Sequence, residues 1–272
     1  MLKTPSLLTI AVSLAAFTSF SHGAIILQES FDYGGSLSQG DAVGGSNGGT
    51  GWSAAWNPNA GTFEATGLTH SFIDASGGAL LAGSDFNNDR EYSLTGLTDN
   101  GDVQWSSFLI QFNGAPNADR FYIFTAGSSG DGFGVDFGGN ATTIDFDLTT
   151  NGTNSGSSAL GSDANGNTSL IILKHTWGPT DMTGTEVTVD AWLNPSSVSS
   201  EGALGTAVSR TTTLTPGELT GGIYPRTGSS NYILDEYRMG DSLSNVAIPE
   251  PSTVVLLGLG LGSVFMLRRR RA

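Results

Sequence analysis

In EVTVDAWL, residues 186–193, Val187, Val189, Ala191 and Leu193 alternate with Glu186, Thr188, Asp190 and Trp192. A period of two is that of a strand with one wet face, and it constrains this chain more than any other feature. TTIDFDLTT repeats it, setting Ile144, Phe146 and Leu148 against Asp145 and Asp147. DVQWSSFLIQF, DRFYIFTA and SLIILKHTW are apolar at both parities, as in central strands covered on each side. Between such runs lie GGSNGGTG, AGSSGDG, DFGGN, NGTNSGSS and GSDANGN, all turn chemistry. Away from the termini no helical period lasts beyond a turn or two. The pattern predicts an all-β, two-sheet antiparallel sandwich or jelly roll.

Composition bears on whether such a chain folds and on what it can bind. Glycine supplies 39 of 272 residues, about twice the usual share, and a bias of that kind often means disorder. The body holds five tryptophans and most of the 14 phenylalanines, arranged in alternating strands, and such a chain can bury a core. Cysteine is absent, which excludes disulfides, thiolate zinc sites and cysteine nucleophiles. Of 25 acidic residues only Glu250 lies beyond residues 24–247, and of 11 basic residues Lys3 and Arg268 to Arg271 do. The body therefore carries 24 acids against 6 bases, a formal charge of −18 that repels nucleic acid.

The termini read as processing signals. Residues 1–23 place Lys3 ahead of an apolar stretch from Leu7 to Phe17, with small residues at Ser21 and Gly23. That is the order of a secretory signal peptide cut before Ala24. Residues 248–272 run Pro249-Glu250-Pro251, an uncharged stretch, then Arg268, Arg269, Arg270 and Arg271. Thr253 to Leu267 is fifteen residues, about 22 Å as a helix, short of a hydrocarbon layer of roughly 30 Å. Ser252 and snorkelling by Arg268 extend it, so residues 252–267 are expected to form one short transmembrane helix. The arginines hold the C-terminus in the cytoplasm and the body outside.

This tripartite ending resembles the PEP-CTERM sorting signal of biofilm-forming Gram-negative bacteria. The resemblance implies recognition by an exosortase, a membrane cysteine transpeptidase, and release toward an exopolysaccharide matrix. In residues 24–247, LQESFDYGGSLSQG…NGGTGWSAAW, SLIILKHTW…EVTVDAWLNP and YILDEYRMGDSLSNV resemble segments of laminin-G-like, concanavalin A-like domains. That resemblance implies a jelly roll, with an Asn194-Pro195 turn between strands. In the last of these segments alternation places Ile233, Asp235, Tyr237 and Met239 on one face and Leu234, Glu236 and Arg238 on the other, with Glu236 and Arg238 as a same-face ion pair.

Candidate chemistry is sparse. Concanavalin A-like glucanases use a Glu-x-Asp-x-x-Glu strand, and neither Glu186 with Asp190 nor Asp145 with Asp147 has that spacing. Gly44, Ser46 and Gly48 spell a nucleophile elbow, but in a glycine-rich loop with no helix after it. His175, beside Trp177 in a strand, reads as a hydrogen-bonded structural histidine. Asp85, Asn87 and Asp89, and Asp163, Asn165 and Asn167, alternate side-chain oxygens that could meet a calcium ion. Both runs lack the EF-hand glycine and glutamate, and metal-free Asx turns are the competing reading. Trp52 and Trp56, four apart in a loop, are the best exposed candidates for sugar stacking, whereas Trp105, Trp177 and Trp192 read as core.

The catalytic set is therefore expected to be empty. The leading expectation is an exported, non-enzymatic surface or matrix protein, transiently membrane-anchored, sorted by an exosortase and associated with exopolysaccharide, with no cofactor. The alternative is a lectin-like carbohydrate-binding module with calcium as an optional ligand. A divergent glycan hydrolase or lyase ranks third.

Overall fold

The computed structural model describes residues 24–73, 76–82, 90–93, 99–113, 120–124, 132–137, 143–150, 153–162, 166–180, 185–214, 221–226 and 231–247. The expected signal peptide 1–23 and the sorting segment 248–272 lie outside them. Along the chain run β1 (Ile25–Glu29), β2 (Gly61–Glu64), β3 (Ala79–Ala82), β4 (Arg90–Tyr92), β5 (Val103–Asn113), β6 (Arg120–Phe124) and β7 (Gly132–Phe137). Then come β8 (Thr143–Thr150), β9 (Thr153–Ser162), β10 (Ser169–Thr180), β11 (Thr185–Leu193), β12 (Val208–Leu214), β13 (Gly221–Arg226) and β14 (Asn231–Gly240). The only described helices are a 3-10 turn at Glu201–Ala203 and the short α1 (Leu243–Val246).

The strands form two antiparallel sheets. One has the order β12-β11-β10-β5-β14-β3-β2, with β1 also paired to β14; the other has the order β4-β13-β6-β7-β8-β9. Phe108, Ile110, Ile171, Leu173, Val187 and Val189 of the first sheet share one buried cluster with Tyr92, Ile144, Phe146 and Ile223 of the second. The chain is an all-β two-sheet sandwich. On the first sheet's outer side, Trp105, Leu109, Leu170, Ile172 and Trp192 are covered by Leu68, Ile73, Val198, Leu204, Leu243 and Val246 from connections and α1. That second cover is why β5 and β10 are apolar at both parities.

In the second sheet the register aligns Ile223, Ile123, Phe133 and Leu148 in one cross-strand row, and Pro225, Phe121, Val135 and Phe146 in another. Ile223 and Phe146 are fully buried in the core between the sheets.

Two local expectations are corrected. NGTNSGSS, read as turn chemistry, supplies most of the strand β9, whose only ladder partner among the described strands is β8. An edge strand bonds on one side only, and its register slips between Ile144 and Asp145 and again between Asp147 and Thr149. Small residues suffice there because one backbone ladder holds the strand.

The second correction concerns β14. Leu234, Tyr237 and Met239 lie in the inter-sheet core, while Ile233 packs on the outer cluster and Asp235 accepts a hydrogen bond from the Leu68 N–H at 2.7 Å. Asp235 and Tyr237 are therefore on opposite faces. The register against β5 shifts between Asp235 and Arg238, and Glu236 sits there with φ of 48°. A bulge inserts one residue and reverses the parity beyond it. It also marks a change of partner, since Ile233 and Leu234 pair with β3 whereas Tyr237 to Gly240 pair with β1. Glu236 and Arg238 do form the expected ion pair, at 2.8 Å, and Glu236 accepts the Ser76 N–H as well, also at 2.8 Å.

The glycine-rich segment 44–51 folds onto β1, where Gln28 and Thr50 exchange backbone hydrogen bonds at 2.9 and 3.1 Å. Gly51 has φ of 83°, and a Cβ there would collide with the Ile26 carbonyl oxygen; Gly45, at φ of 81°, has open space around the same position. Gly45→Ala should therefore cost only left-handed strain, about 1–2 kcal/mol. Gly51→Ala adds a backbone clash and should cost at least about 1 kcal/mol more, read from urea unfolding of the two variants side by side.

Candidate functional site

Alternation along β1 puts Leu27 and Glu29 on the core side, so a carboxylate enters the sandwich with no access to water. Arg90, from β4 of the facing sheet, meets it: a guanidinium N–H donates to Glu29 Oε2, and both side chains are fully buried. Further hydrogen bonds tie down both groups. Glu29 Oε1 accepts the Phe31 N–H at 2.8 Å, and Oε2 accepts the Trp56 indole N–H at 3.3 Å. Arg90 donates to the Ala54 carbonyl at 3.1 Å, Asn47 Oδ1 at 2.9 Å and the Gly48 carbonyl at 2.6 Å. Its carbon centre stands 4.6 Å from the Trp52 ring centroid and 5.7 Å from that of Trp56. Desolvation pulls the Arg90 pKa down to about 10, which leaves it cationic at neutral pH.

Trp52 and Trp56 thus lie elsewhere than their loop position suggested. Trp56 is 1% exposed and stacks on Phe31 at 5.8 Å. Trp52 is half-buried, donates to the Gln28 carbonyl at 3.0 Å and lies 5.9 Å from the Tyr237 ring. The pair is a wall around a buried cation, and Trp56 offers no face to a sugar. Sequence reasoning missed Glu29 and Arg90. A carboxylate at the inward parity of an apolar strand, in a body with six basic residues, was the available signal.

A second polar group lies in the core. His175 Nε2 is 3.2 Å from Ser106 Oγ, and Gln104 Oε1 accepts the Trp177 indole N–H at 2.6 Å. Ser106 is 0% and His175 1% exposed, so this serine–histidine contact has no approach for a substrate and is structural, as the sequence suggested for His175. Burial drives the His175 pKa down to about 3. Trp105, Trp177 and Trp192 are buried as expected. On the outer side, burial raises Asp235 to about 8, against hydrogen bonds from the Leu68 and Glu236 N–H groups that favour its charged form.

Of the calcium candidates, Asp85, Asn87, Asp89, Asp163 and Asn165 lie outside the described residues, and Asn167 is exposed. Among the described residues no three His, Asp or Glu side chains converge as a metal site. Pro249, Glu250, Pro251 and Arg268 to Arg271 also lie outside the description, and no described helix is long and apolar enough to cross a membrane.

Residues 247–271 match the PEP-CTERM protein-sorting motif. No curated protein matches the chain. Among solved structures, the chain is similar to a carbohydrate esterase of the Shiga toxin-encoding bacteriophage phi24B, at 14% identity over 81% of this chain and 100% of that one, TM-score 0.47. It is similar to a PL-14 alginate lyase from Aplysia kurodai at 10% identity over 69% and 89% of the two chains, TM-score 0.40. A protein of unknown function from Shewanella oneidensis MR-1 aligns at 13% identity over 90% and 100%, TM-score 0.38. At these scores nothing about ligand or activity follows.

Removing one partner of the buried pair should be worse than removing both charges. Arg90→Met should cost about 3–5 kcal/mol, and adding Glu29→Gln should recover more than half of that, by urea unfolding. His175 gives a pH test. Its folded pKa is depressed from 6.5 to about 3, so the neutral ring's stability is fully present above pH 6.5 and is lost as pH falls toward 3. Between pH 7 and pH 4 the unfolding free energy of His175→Gln should drop by about 3 kcal/mol less than that of the native chain.

Proposed function

We propose that this protein is an exported, non-enzymatic component of the cell surface or extracellular matrix, sorted through its C-terminal tail by an exosortase. The observation that carries the reading is the PEP-CTERM match over residues 247–271. A tail of this kind belongs to secreted, exosortase-processed proteins of the cell envelope. A signal peptide over residues 1–23 would start export, and the span 252–267 with Arg268 to Arg271 would hold the chain until cleavage.

The body's geometry supports processing at that position. Val246 and Ala247 are fully buried, Ser107 Oγ donates to the Val246 carbonyl, and the Ala24 N–H donates to Asp241 Oδ2 at 3.1 Å. Both ends of the body are therefore tied into the first sheet within a few residues of the expected cuts. Cleavage near Pro249 to Pro251 would leave every described residue of the sandwich in place. Two prolines also keep that segment extended, as a protease requires. The body is read as a jelly roll of the concanavalin A-like kind, in keeping with its two antiparallel sheets. The absence of enzymatic activity is part of the proposal, supported by the burial of the serine–histidine contact.

Mass spectrometry of the protein recovered from the surface of its native host tests this. The chain should begin at Ala24 and end near Pro249 to Pro251, without Arg268 to Arg271. Recovery of the surface protein with its arginines intact, or of the full chain free in the cytosol, would overturn the reading.

A further inference from the structure

The residue ahead of the first strand meets the residue that follows the last. The Ala24 N–H donates to Asp241 Oδ2 at 3.1 Å, and the Asp241 N–H returns a longer bond to the Ala24 carbonyl at 3.4 Å. Both residues are exposed, while the backbone beside them is held by the β1–β14 ladder, in which Ile25 pairs with Gly240. The other carboxylate oxygen, Asp241 Oδ1, accepts the Asn245 side-chain amide at 2.9 Å. Asn245 lies in α1 and is buried. Gly240 lies between them: a Cβ there would come within 2.8 Å of the Asn245 Cβ and 3.1 Å of the Ala24 carbonyl oxygen. One carboxylate thus joins the first residue of the body to its last described helix.

That tie matters to α1. The helix is a single turn, its N-cap Ser242 makes no side-chain capping bond, and a lone turn does not hold itself in water. Leu243, Val246 and Ala247 are buried, so the turn is positioned by packing and by the Asp241–Asn245 bond. Pro249, the first residue of the sorting motif, follows Ala247 by two positions. The acceptor chosen for Ala24 is the informative part. Any carbonyl satisfies a backbone amide, and in a body of charge −18 one more exposed carboxylate adds repulsion. A carboxylate gains from this position once its partner is a cation. Hydrolysis of the Gly23–Ala24 amide supplies one: hydroxide from water goes to the Gly23 carbonyl carbon, and the released nitrogen takes up protons as an α-ammonium. The contact with Asp241 then becomes a charge-assisted hydrogen bond.

We propose that Asp241 is a binding site for the α-ammonium that signal-peptide removal creates, and that capture of this charge steadies α1 ahead of the sorting motif. Maturation of the N-terminus is thereby read at the C-terminal end of the body. The inference rests on the processing reading above, namely a cut before Ala24, and adds the group that receives the new terminus. A chain still joined to its signal peptide offers Asp241 only a neutral N–H, and its α1 is held more loosely.

The test uses the processed protein recovered from its native host. It should begin at Ala24, and it then has two amines, the α-amine and Lys174, because Lys3 leaves with the signal peptide. An α-amine ordinarily titrates at about 7.7–8.0, and pairing with a carboxylate keeps more of it in the unreactive cationic form. Trace acetylation at pH 7, read by mass spectrometry as the ratio of α-amine to Lys174 labelling, should rise about threefold in Asp241→Asn. Lys174 pairs with Glu201 and serves as the internal reference. Full acetylation of the native protein turns the terminus back into a neutral amide. Hydrogen exchange at Asn245 and Ala247, whose N–H groups donate to the Ser242 and Leu243 carbonyls, should then quicken about threefold. In Asp241→Asn acetylation should change nothing there. Should that variant fail to fold by near-ultraviolet dichroism, the effect of acetylation on the native protein makes the test alone. An equal labelling ratio in a folded variant, or unchanged exchange in the acetylated native protein, overturns the inference. So does a mature chain that begins at a residue other than Ala24, whatever has become of its tail. A chain that begins at Ala24 with its amine captured, yet keeps Arg268 to Arg271, sinks only the sorting reading.

Discussion

A carboxylate sealed inside a β-sandwich must find a cation, and the Glu29–Arg90 pair organises the N-terminal quarter of this protein around that requirement. β1 brings the glutamate and β4 of the opposite sheet brings the arginine, so the ion pair joins the two layers. Filling the other guanidinium hydrogens needs carbonyls close by, and the segment 47–54 supplies them from Asn47, Gly48 and Ala54. Glycine is required where that segment runs against β1, because at Gly51 no side chain fits. Trp52 and Trp56 then close the site from water. A loop that looks like flexible surface is held by one buried charge.

The same economy appears at the other end of the body. β14 has to serve two partners in sequence, β3 and then β1, and the bulge at Glu236 is where it changes. The bulge carries its own acid, paired with Arg238 and with the Ser76 N–H. By pairing with β1, the last strand fastens the first, so both ends of the body meet in one sheet. The described contacts that close the body reach as far as Ala247, which is fully buried.

Alternation made the middle of the fold legible. Ile144, Phe146, Val187, Val189 and Ala191 are buried where a period of two puts them, and Trp105, Trp177 and Trp192 are core. His175 is the structural histidine its neighbours suggested. The failures have one cause. Alternation assumes an unbroken strand, and the bulge at Glu236 reverses it; turn composition assumes a turn, and edge pairing with β8 makes Thr153–Ser162 a strand instead.

By itself the sequence determined the class of fold, the charge and the address. Period-two patterning, a deficit of basic residues and a proline-bounded motif ahead of an oily run are local or additive properties, readable without knowing what touches what. Only the tertiary structure decided that Trp56 is core and that Glu29 answers Arg90 across 61 positions of chain. The same holds for the meeting of Ala24 with Asp241 ahead of the first strand. Burial and cross-strand neighbours are set by register and by the packing of layers, and neither is written in any short stretch of residues.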